Sequence, residues 1–167
     1  MATYALYTPP KKPRGLLKWG FKLPIALYRV RLGWLLGHRF LQLTHRGRKT
    51  SAIRQTVLEV VHYDAATNES AVVSAYGAKA DWYQNIQASP PIEVRTARSH
   101  FTPQYRLLDP SERFTVLDTY QRRYRHAFRA VIRFLGYDYD GSEVSLRALA
   151  DQVLIVGFRP RQESTHR

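Results

Sequence analysis

The hydrophobic pattern of the chain changes its period near Gly37. Before this glycine, apolar side chains recur at helical spacing; after it, they alternate with polar ones. Short alternating segments are typical of strands with one buried face. Because about six such segments occur with few helices between them, the pattern predicts a mainly β fold with flanking helices (α+β), a closed or split antiparallel barrel. The predicted strands are 40–44, 55–63, 70–75, 92–97, 101–108 and 152–159.

Three helices are predicted beside these strands. The first covers 79–88 and ends before two consecutive prolines. The second begins at Asp109, because an N-cap carboxylate followed by Pro110 and Glu112 is a strong helix-start signal, and it ends at Gly136. The third runs from its cap, Ser142, to residue 150. With no internal repeat, the sequence predicts a single barrel domain over 37–160.

Positive charge is concentrated at the N-terminal end. Residues 1–58 contain 12 Lys and Arg and no carboxylate, whereas residues 59–167 contain 14 basic and 13 acidic residues, so the formal net charge of +13 divides into +12 and +1. Such an excess favours an anionic partner, which could be nucleic acid, anionic lipid or a polyanionic small molecule. Nucleic-acid binding rests on charge alone, since no recognised reading motif accompanies it.

Residues 1–36 are predicted to be a basic arm followed by amphipathic helices that break at Pro24. Charged residues interrupt every apolar window that could span a bilayer, which excludes a transmembrane helix here. Two interpretations stay open: the helices pack on their own domain, or they lie on an anionic membrane surface. We expect this arm, the barrel domain and a tail over 161–167, and a cytoplasmic protein. Peripheral contact with the inner face of the membrane and a homodimer both stay open.

The loop between the first two predicted strands carries the strongest functional signal. It reads GRKTS over 47–51 and is followed by Arg54. Arginine recognises phosphate and carboxylate in a bidentate manner, and lysine adds a point charge. The loop is not a P-loop, because Arg48 separates the glycine from the lysine and a strand follows. It is therefore either an oxyanion cradle or a solvated basic turn.

The segment after the third predicted strand contains further candidates. Tyr76 and Gly77 lie at the strand end, where a backbone can approach a ligand. Trp82, Tyr83 and Asn85 follow on the short helix. Large aromatic residues such as Trp82 are commonly part of a core, and a buried amide at position 85 would need hydrogen-bond partners.

No set of side chains points to acid–base or nucleophilic chemistry by itself. Tyr120 and Tyr124 are one turn apart on the long predicted helix, where they are either core residues or hydroxyls presented to a substrate. No two histidines have metal-ligand spacing, no nucleophile motif occurs, and the chain has no cysteine, so no metal site or thiol chemistry is predicted. An enzyme with this sequence would therefore take its chemistry from a cofactor.

Two motifs together give the sequence a resemblance to a known family. GRK-x-x-x-x-R at 47–54 and WY-x-N at 82–85 resemble the deazaflavin (coenzyme F-420)-dependent nitroreductase family, split β-barrels related to flavin-binding pyridoxamine-phosphate oxidases. The resemblance runs from about residue 16 to 160. It implies a six-stranded, FMN-binding-like split barrel that transfers a hydride from reduced coenzyme F-420 to a lipophilic acceptor such as a quinone, enone or nitroaromatic.

The resemblance also implies roles for individual residues. Arg48, Lys49 and Arg54 would hold the phosphate and the oligoglutamate tail of the coenzyme, with Lys79 as a further tail contact. The strand after the loop, the next turn and the short helix would line the deazaflavin ring. These ring-lining residues are Gln55, Thr56, Val57, Ser74, Ala75, Tyr76, Gly77, Trp82, Tyr83 and Asn85.

The long helix is similar to the family element that covers the substrate side, which makes Tyr124, and after it Tyr120, candidate catalytic residues as proton donors. The sequence departs from the family pattern at Ser51, where glycine is frequent, at Ile53, where proline is frequent, and at residues 79–81. These differences bear on cofactor affinity and substrate choice. The alternative function is a non-catalytic barrel that binds FMN, haem or a fatty acyl chain.

Overall fold

Residues 33–161 are described by a computed structural model of the chain. Residues 1–32 of the predicted N-terminal segment, the break at Pro24 and all but the first residue of the predicted tail lie outside this range. The described chain begins with a 3-10 helix, Gly33–Arg39, which changes direction at Gly37 (φ 55°, ψ −143°). Glycine adopts a positive φ without a Cβ clash, so the residue where the hydrophobic period changes is also the residue that turns the backbone into the first strand.

Seven antiparallel strands form the sheet, in the order β5-β4-β1-β2-β3-β7-β6. The long strand β2 pairs with β1 through residues 53–59 and with β3 through residues 60–64, so it belongs to both halves of the sheet. The strands are β1 Phe40–Arg46, β2 Ile53–Asp64, β3 Glu69–Ser74, β4 Glu93–Thr96, β5 Ser99–Phe101, β6 Pro103–Leu107 and β7 Leu154–Pro160.

The two outermost strands of this order are joined by one residue, Thr102. Its carbonyl oxygen accepts a hydrogen bond from the Arg161 amide at 3.0 Å. Because β5 pairs with β4 and β6 pairs with β7, this short link brings the two ends of the strand order together and nearly closes the sheet into a barrel. The predicted mainly β, antiparallel barrel with flanking helices is thereby confirmed.

The strand count differs from the expected six because the segment 101–108 is divided. Phe101 belongs to β5, and residues 103–107 form β6 on the opposite half of the barrel. Pro103 has no N–H to donate, so it is suited to the first position of an edge strand. The predicted hairpin between 92–97 and 101–108 is therefore only three pairs long.

The helices agree with the predicted ones except at Tyr124. The capping box at Asp109 is present, since the Asp109 side chain accepts from the Glu112 amide and Glu112 reaches back to the Asp109 amide. The single long helix expected up to Gly136 is wrong, because Tyr124 (φ −132°, ψ 48°) leaves helical geometry. The helices are α1 Asp81–Ala88, α2 Pro110–Arg123, α3 Arg125–Phe134 and α4 Glu143–Gln152, with a 3-10 turn at Gly77–Lys79 before α1.

Two apolar cores lie on the two faces of the sheet. The alternation of β1 sends Leu41 and Leu43 into the barrel interior, where they join Phe158 and the buried side chains of α1. The outer face of the second half packs against α2, α3 and α4, for example through Ile155 and Leu117. Burying both faces explains why β3 and β7 are almost continuously buried and why β7 begins with a run of apolar residues.

A charged cluster fastens α2 to the barrel. Glu69 on β3 is 7% exposed and accepts two hydrogen bonds from Arg106 on β6, at 2.8 and 2.9 Å. Arg106 also donates to Glu112 on α2 at 2.8 Å. These two carboxylates raise the pKa of Arg106. Gly157 on β7 leaves the space for this pair, since a Cβ there would lie 2.7 Å from the Glu69 carboxyl carbon.

Candidate functional site

Strand β2 places alternate side chains in two different environments. Its register with β1 puts Gln55, Val57 and Glu59 on the outer face of the barrel, while Thr56 and Leu58 face the interior. Arg54 pairs with His45 and so belongs to the interior set, although it is exposed at the loop end of the strand. A strand rises about 3.4 Å per residue, so Gln55 and Glu59 are roughly 14 Å apart on the outer face. The outer face of β2 therefore leads from the basic loop to Glu59, which Tyr120 of α2 contacts. We call this face, formed by Gln55, Val57 and Glu59, the track.

The basic loop at one end of this track has a closed conformation. The Gly47 amide donates to the Ala52 carbonyl and the Ser51 amide donates to the Gly47 carbonyl, each at 2.8 Å. A Cβ on Gly47 would lie 2.9 Å from Nε of Arg54, so glycine allows this arginine to pass beneath the loop. Ser51 has a φ of 56°, a conformation that a non-glycine residue rarely adopts. Glycine would adopt it without strain.

Arg48 fastens this loop to helix α1. Its backbone amide and its Nη1 both donate to Oδ1 of Asn85, each at 3.0 Å. Nη1 also contacts Oδ1 of Asp81 at 2.9 Å. The prediction that a buried Asn85 needs partners is met, because Arg48 supplies two of them. The two motifs of the sequence, 47–54 and 82–85, therefore meet in one site.

Behind Asn85 lies His45, a buried residue of β1 with 2% exposure. The Asn85 Nδ2 lies 3.2 Å from the His45 Nδ1, and the His45 Nε2 lies 3.2 Å from the Thr56 hydroxyl. Burial is the main cause that lowers the pKa of His45; the positive charge of Arg54 adds to it, and a backbone hydrogen bond at Arg46 opposes it. The ring is therefore neutral near neutral pH.

The remaining cations of the site have no acid partner. Lys49, Arg54 and Lys79 are exposed, and within residues 33–161 none of them forms an ion pair with a carboxylate. Of the predicted anion-binding residues, Arg48 is the one already engaged, through Nη1. Lys49 and Arg54 flank the same loop, so an anion placed there would meet two unpaired positive charges and the remaining guanidinium nitrogens of Arg48.

The turn after β3 presents backbone to solvent beside the track. The hydroxyl of Ser74 donates to the carbonyl of Gly77 at 2.7 Å, which fixes the turn through Ala75 and Tyr76. Gly77 has a φ of 54°, and nothing lies within 4 Å of the position that its Cβ would take. Tyr76 is 47% exposed. A flat ligand can approach this turn closely because no side chain at position 77 prevents it.

Trp82 and Tyr83 belong to the core inside the barrel. They are 8% and 4% exposed, their rings meet edge to face with centroids 5.8 Å apart, and Trp82 also contacts Phe158. Their burial orients α1 so that Asn85 faces the loop. A direct role for these two rings in a ligand pocket stays a prediction.

The far end of the track carries the two tyrosines. The Tyr120 hydroxyl donates to Glu59 Oε1 at 3.0 Å, and burial together with this carboxylate raises the pKa of Tyr120 well above its ordinary value. Arg39 lies 3.8 Å from the same carboxylate. Tyr124 packs on Tyr120 with ring centroids 5.1 Å apart and, among the described residues, its hydroxyl has no hydrogen-bond partner.

Three residues of the site were not predicted from the sequence: His45, Glu59 and Arg39. His45 follows Leu41 and Leu43 at every second position of β1 and so shares their inward face. This spacing could have identified it as a buried polar residue. Among residues 33–161 no cluster of three or more metal-ligating side chains occurs, and no helix in that range is long and apolar enough to cross a membrane.

The fold and the site define a small antiparallel β-barrel with a basic loop at one end of an open strand face. A sequence model of the "F420H(2)-dependent quinone reductase" family matches residues 25–130 of the chain. The chain therefore belongs to this family of deazaflavin-dependent enzymes, which confirms the resemblance seen in the sequence. A search of curated proteins found no match.

Similar solved structures include several barrel proteins. A structure described as an F420-H2 dependent reductase (FDR-A) is 17% identical, with a TM-score of 0.48 over 72% of this chain and 94% of that chain. HutZ, described as a haem storage protein from Vibrio cholerae, is 10% identical, with a TM-score of 0.46 over 82% and 92%. A pyridoxamine 5'-phosphate oxidase-related, FMN-binding protein from Nostoc punctiforme is 16% identical, with a TM-score of 0.40 over 85% and 80%.

Proposed function

We propose that the protein binds reduced coenzyme F-420 along the outer face of β2 and uses it to reduce a lipophilic quinone-type acceptor. The observation that carries this proposal is the track itself. Strand β2 leads from the basic loop with Lys49 and Arg54, past the Gly77 turn that follows β3, to Tyr124. Among residues 33–161 these two cations have no carboxylate partner and the Tyr124 hydroxyl has no hydrogen-bond partner. A ligand with a polyanionic tail and a flat ring needs these features in this order.

The anion end fits a phosphate or a carboxylate tail. Lys49 and Arg54 are exposed, and Gly47 permits a close approach between the loop backbone and Arg54. Charge-assisted hydrogen bonds to such groups are about twice as strong as neutral ones. Arg48 contributes through its Nε and Nη2, while its Nη1 keeps the loop in place. The loop is thus preorganised, which reduces the entropy lost when a ligand binds.

The middle of the track fits the edge of a planar ring. Val57 supplies an apolar floor and Gln55 an amide, both on the outer face of β2. The turn over 74–77 provides backbone groups that the Ser74 hydroxyl holds in one conformation. An apolar surface with a few convergent polar groups is the usual composition of a cofactor site. These residues would bind and orient the ring without taking part in bond making.

Reduction of a quinone to a quinol consumes one hydride and one proton. The bound reduced deazaflavin supplies the hydride; the proton comes from the protein or from water. Tyr120 is poorly suited to give it, because its hydroxyl already donates to Glu59. Tyr124 is the better donor, since its hydroxyl has no hydrogen-bond partner among the described residues. After transfer, Tyr124 would recover its proton from solvent.

Fluorescence titration with the deazaflavin tests the cofactor site. Lys49→Ala and Arg54→Ala should each weaken binding about tenfold, the loss of one charge-assisted hydrogen bond. Arg133→Ala is the matched control, since it removes the same charge from the exposed face of α3 and should leave binding unchanged. Equal binding by all three variants would contradict the assigned tail site.

An assay of deazaflavin oxidation with a quinone panel then tests the reaction. We expect turnover with lipophilic quinones, and Tyr124→Phe should reduce kcat more than KM, because a proton donor acts in the transition state. Protein that purifies with FMN or haem and does not bind the deazaflavin would instead support the non-catalytic binding module.

A further inference from the structure

We propose that His45 is a positioning residue for the anion site: as the neutral Nε2–H tautomer it fixes the amide of Asn85, which in turn holds the backbone and guanidinium of Arg48. The inference rests on the proposed function only for the identity of the anion. The hydrogen-bond chain itself belongs to the protein without ligand.

The orientation of the Asn85 amide is set by Arg48. Two N–H groups, the Arg48 amide and Nη1, point at the same Asn85 atom at 3.0 Å. Both are donors without acceptor capacity, so that atom must be the carbonyl oxygen Oδ1. The amide nitrogen Nδ2 therefore faces His45, at 3.2 Å from Nδ1.

The orientation of Asn85 determines the tautomer of His45. Nδ2 is a donor, so His45 Nδ1 must offer its lone pair, and the single proton of the neutral ring resides on Nε2. Nε2–H then donates to the hydroxyl of Thr56 on β2. Since Asn85 is 3% exposed and His45 2%, neither can exchange these partners for bulk water.

A proton added to His45 would disrupt this chain. Nδ1–H would face Nδ2–H, two donors at hydrogen-bond distance, which is unfavourable in a buried site. Turning the amide by 180° would restore the contact to His45 but would aim Nδ2 at the two donors of Arg48. In either case the loop loses the contact between Arg48 and the Asn85 carbonyl oxygen.

The charged groups around His45 favour the neutral ring. Arg54 faces it from β2, as its direct register partner. Arg48 faces it from the loop through Asn85, Arg46 follows it on β1, and α1 contributes Asp81, which is paired with Arg48. Cations thus outnumber the single carboxylate, and burial acts in the same direction.

NMR of the full chain without cofactor tests the inference directly. Long-range ¹H–¹⁵N spectra should show His45 as the Nε2–H tautomer at neutral pH. As the pH falls, the Arg48 backbone amide should shift with the same midpoint as the His45 ring, below the ordinary histidine value. An Nδ1–H tautomer, or an Arg48 amide that is indifferent to His45 titration, would overturn the proposal whatever the protein binds.

Two substitutions separate positioning from mere packing. His45→Gln keeps a carbonyl acceptor for Asn85 and an amide donor for Thr56 without a titratable group, so deazaflavin affinity should stay within about twofold of the parent and should no longer fall with His45 titration below the ordinary histidine pKa. His45→Leu fills a similar volume but offers no acceptor, and should weaken binding about tenfold. Wild-type affinity in a folded His45→Leu protein would refute the role. If no variant binds the deazaflavin, the proposed cofactor is wrong, and the two NMR readouts still decide the role of His45.

Discussion

Alanine at position 157 would test how closely the barrel is built around Glu69. The new Cβ would lie 2.7 Å from the Glu69 carboxyl carbon and 2.8 Å from its Oε1, so the carboxylate must move away from Arg106. Overpacking of a buried site costs about 1–3 kcal/mol, and a hydrogen bond to a charged group contributes about 1.5–3 kcal/mol. Because Arg106 is 40% exposed and keeps Glu112, we expect Gly157→Ala to lower the free energy of unfolding by about 2 kcal/mol.

A double-mutant cycle gives this prediction its sharpest form. Glu69→Ala removes both the clash and the ion pair, and should itself cost about 2 kcal/mol. In that background Gly157→Ala should be neutral or stabilising by about 0.5–1 kcal/mol, since alanine loses less backbone entropy than glycine in a strand. Urea unfolding followed by tryptophan fluorescence, to which Trp82 in the barrel core contributes, measures all four proteins. Additive losses in the double variant would refute the reasoning, because the two residues would then not compete for space.

Three further predictions concern the site. Ser51→Gly should raise the free energy of unfolding by about 1 kcal/mol in thermal or urea unfolding, because glycine adopts the positive φ without strain; a loss would show that the serine side chain supports the loop. Tyr120→Phe should cost about 1 kcal/mol of stability through the lost bond to Glu59 and should slow quinone reduction less than Tyr124→Phe; the reverse order in an activity assay would exchange their roles. The lowered pKa of His45 means that the unfolded chain takes up a proton first as the pH falls. The free energy of unfolding should therefore be highest above the ordinary histidine pKa and decline below it. Urea unfolding across pH should show a smaller decline for His45→Gln.

Most of the strands and helices could be predicted from the spacing of apolar residues, because strands in both halves of the barrel bury alternate side chains. Alternation on β1 separates the interior residues from the outer face, and the cap at Asp109 marks the start of α2. The break at Tyr124 could not be predicted, since neither proline nor glycine occurs there and the neighbouring residues are compatible with helix. A contact from a distant segment meets the chain there: the Arg39 guanidinium lies 5.6 Å from the centroid of the Tyr124 ring.

Site residues could be predicted where the residue type alone indicates the role. They could not be predicted where the role depends on a contact with a distant segment. Cations in the loop and the amide at Asn85 are visible as residue types, and the structure brings them together. His45 looks like any inward residue of a strand until Asn85 is placed against it. Glu59, the first carboxylate of the chain, gains its importance only because α2 lays Tyr120 across β2. Contacts between distant segments carry this information, and periodicity does not contain it.

The placement of β7 has a consequence for how the chain folds. The last strand lies between β3 and β6 rather than at an edge, and it pairs Ser70 with Phe158. During synthesis the barrel therefore cannot close until almost the whole described chain has left the ribosome. Pairings of such high sequence separation slow folding and leave strand edges exposed in the meantime. For this protein, the nascent chain is the state most exposed to aggregation, and a truncation before residue 154 would leave β3 and β6 without the strand that joins them.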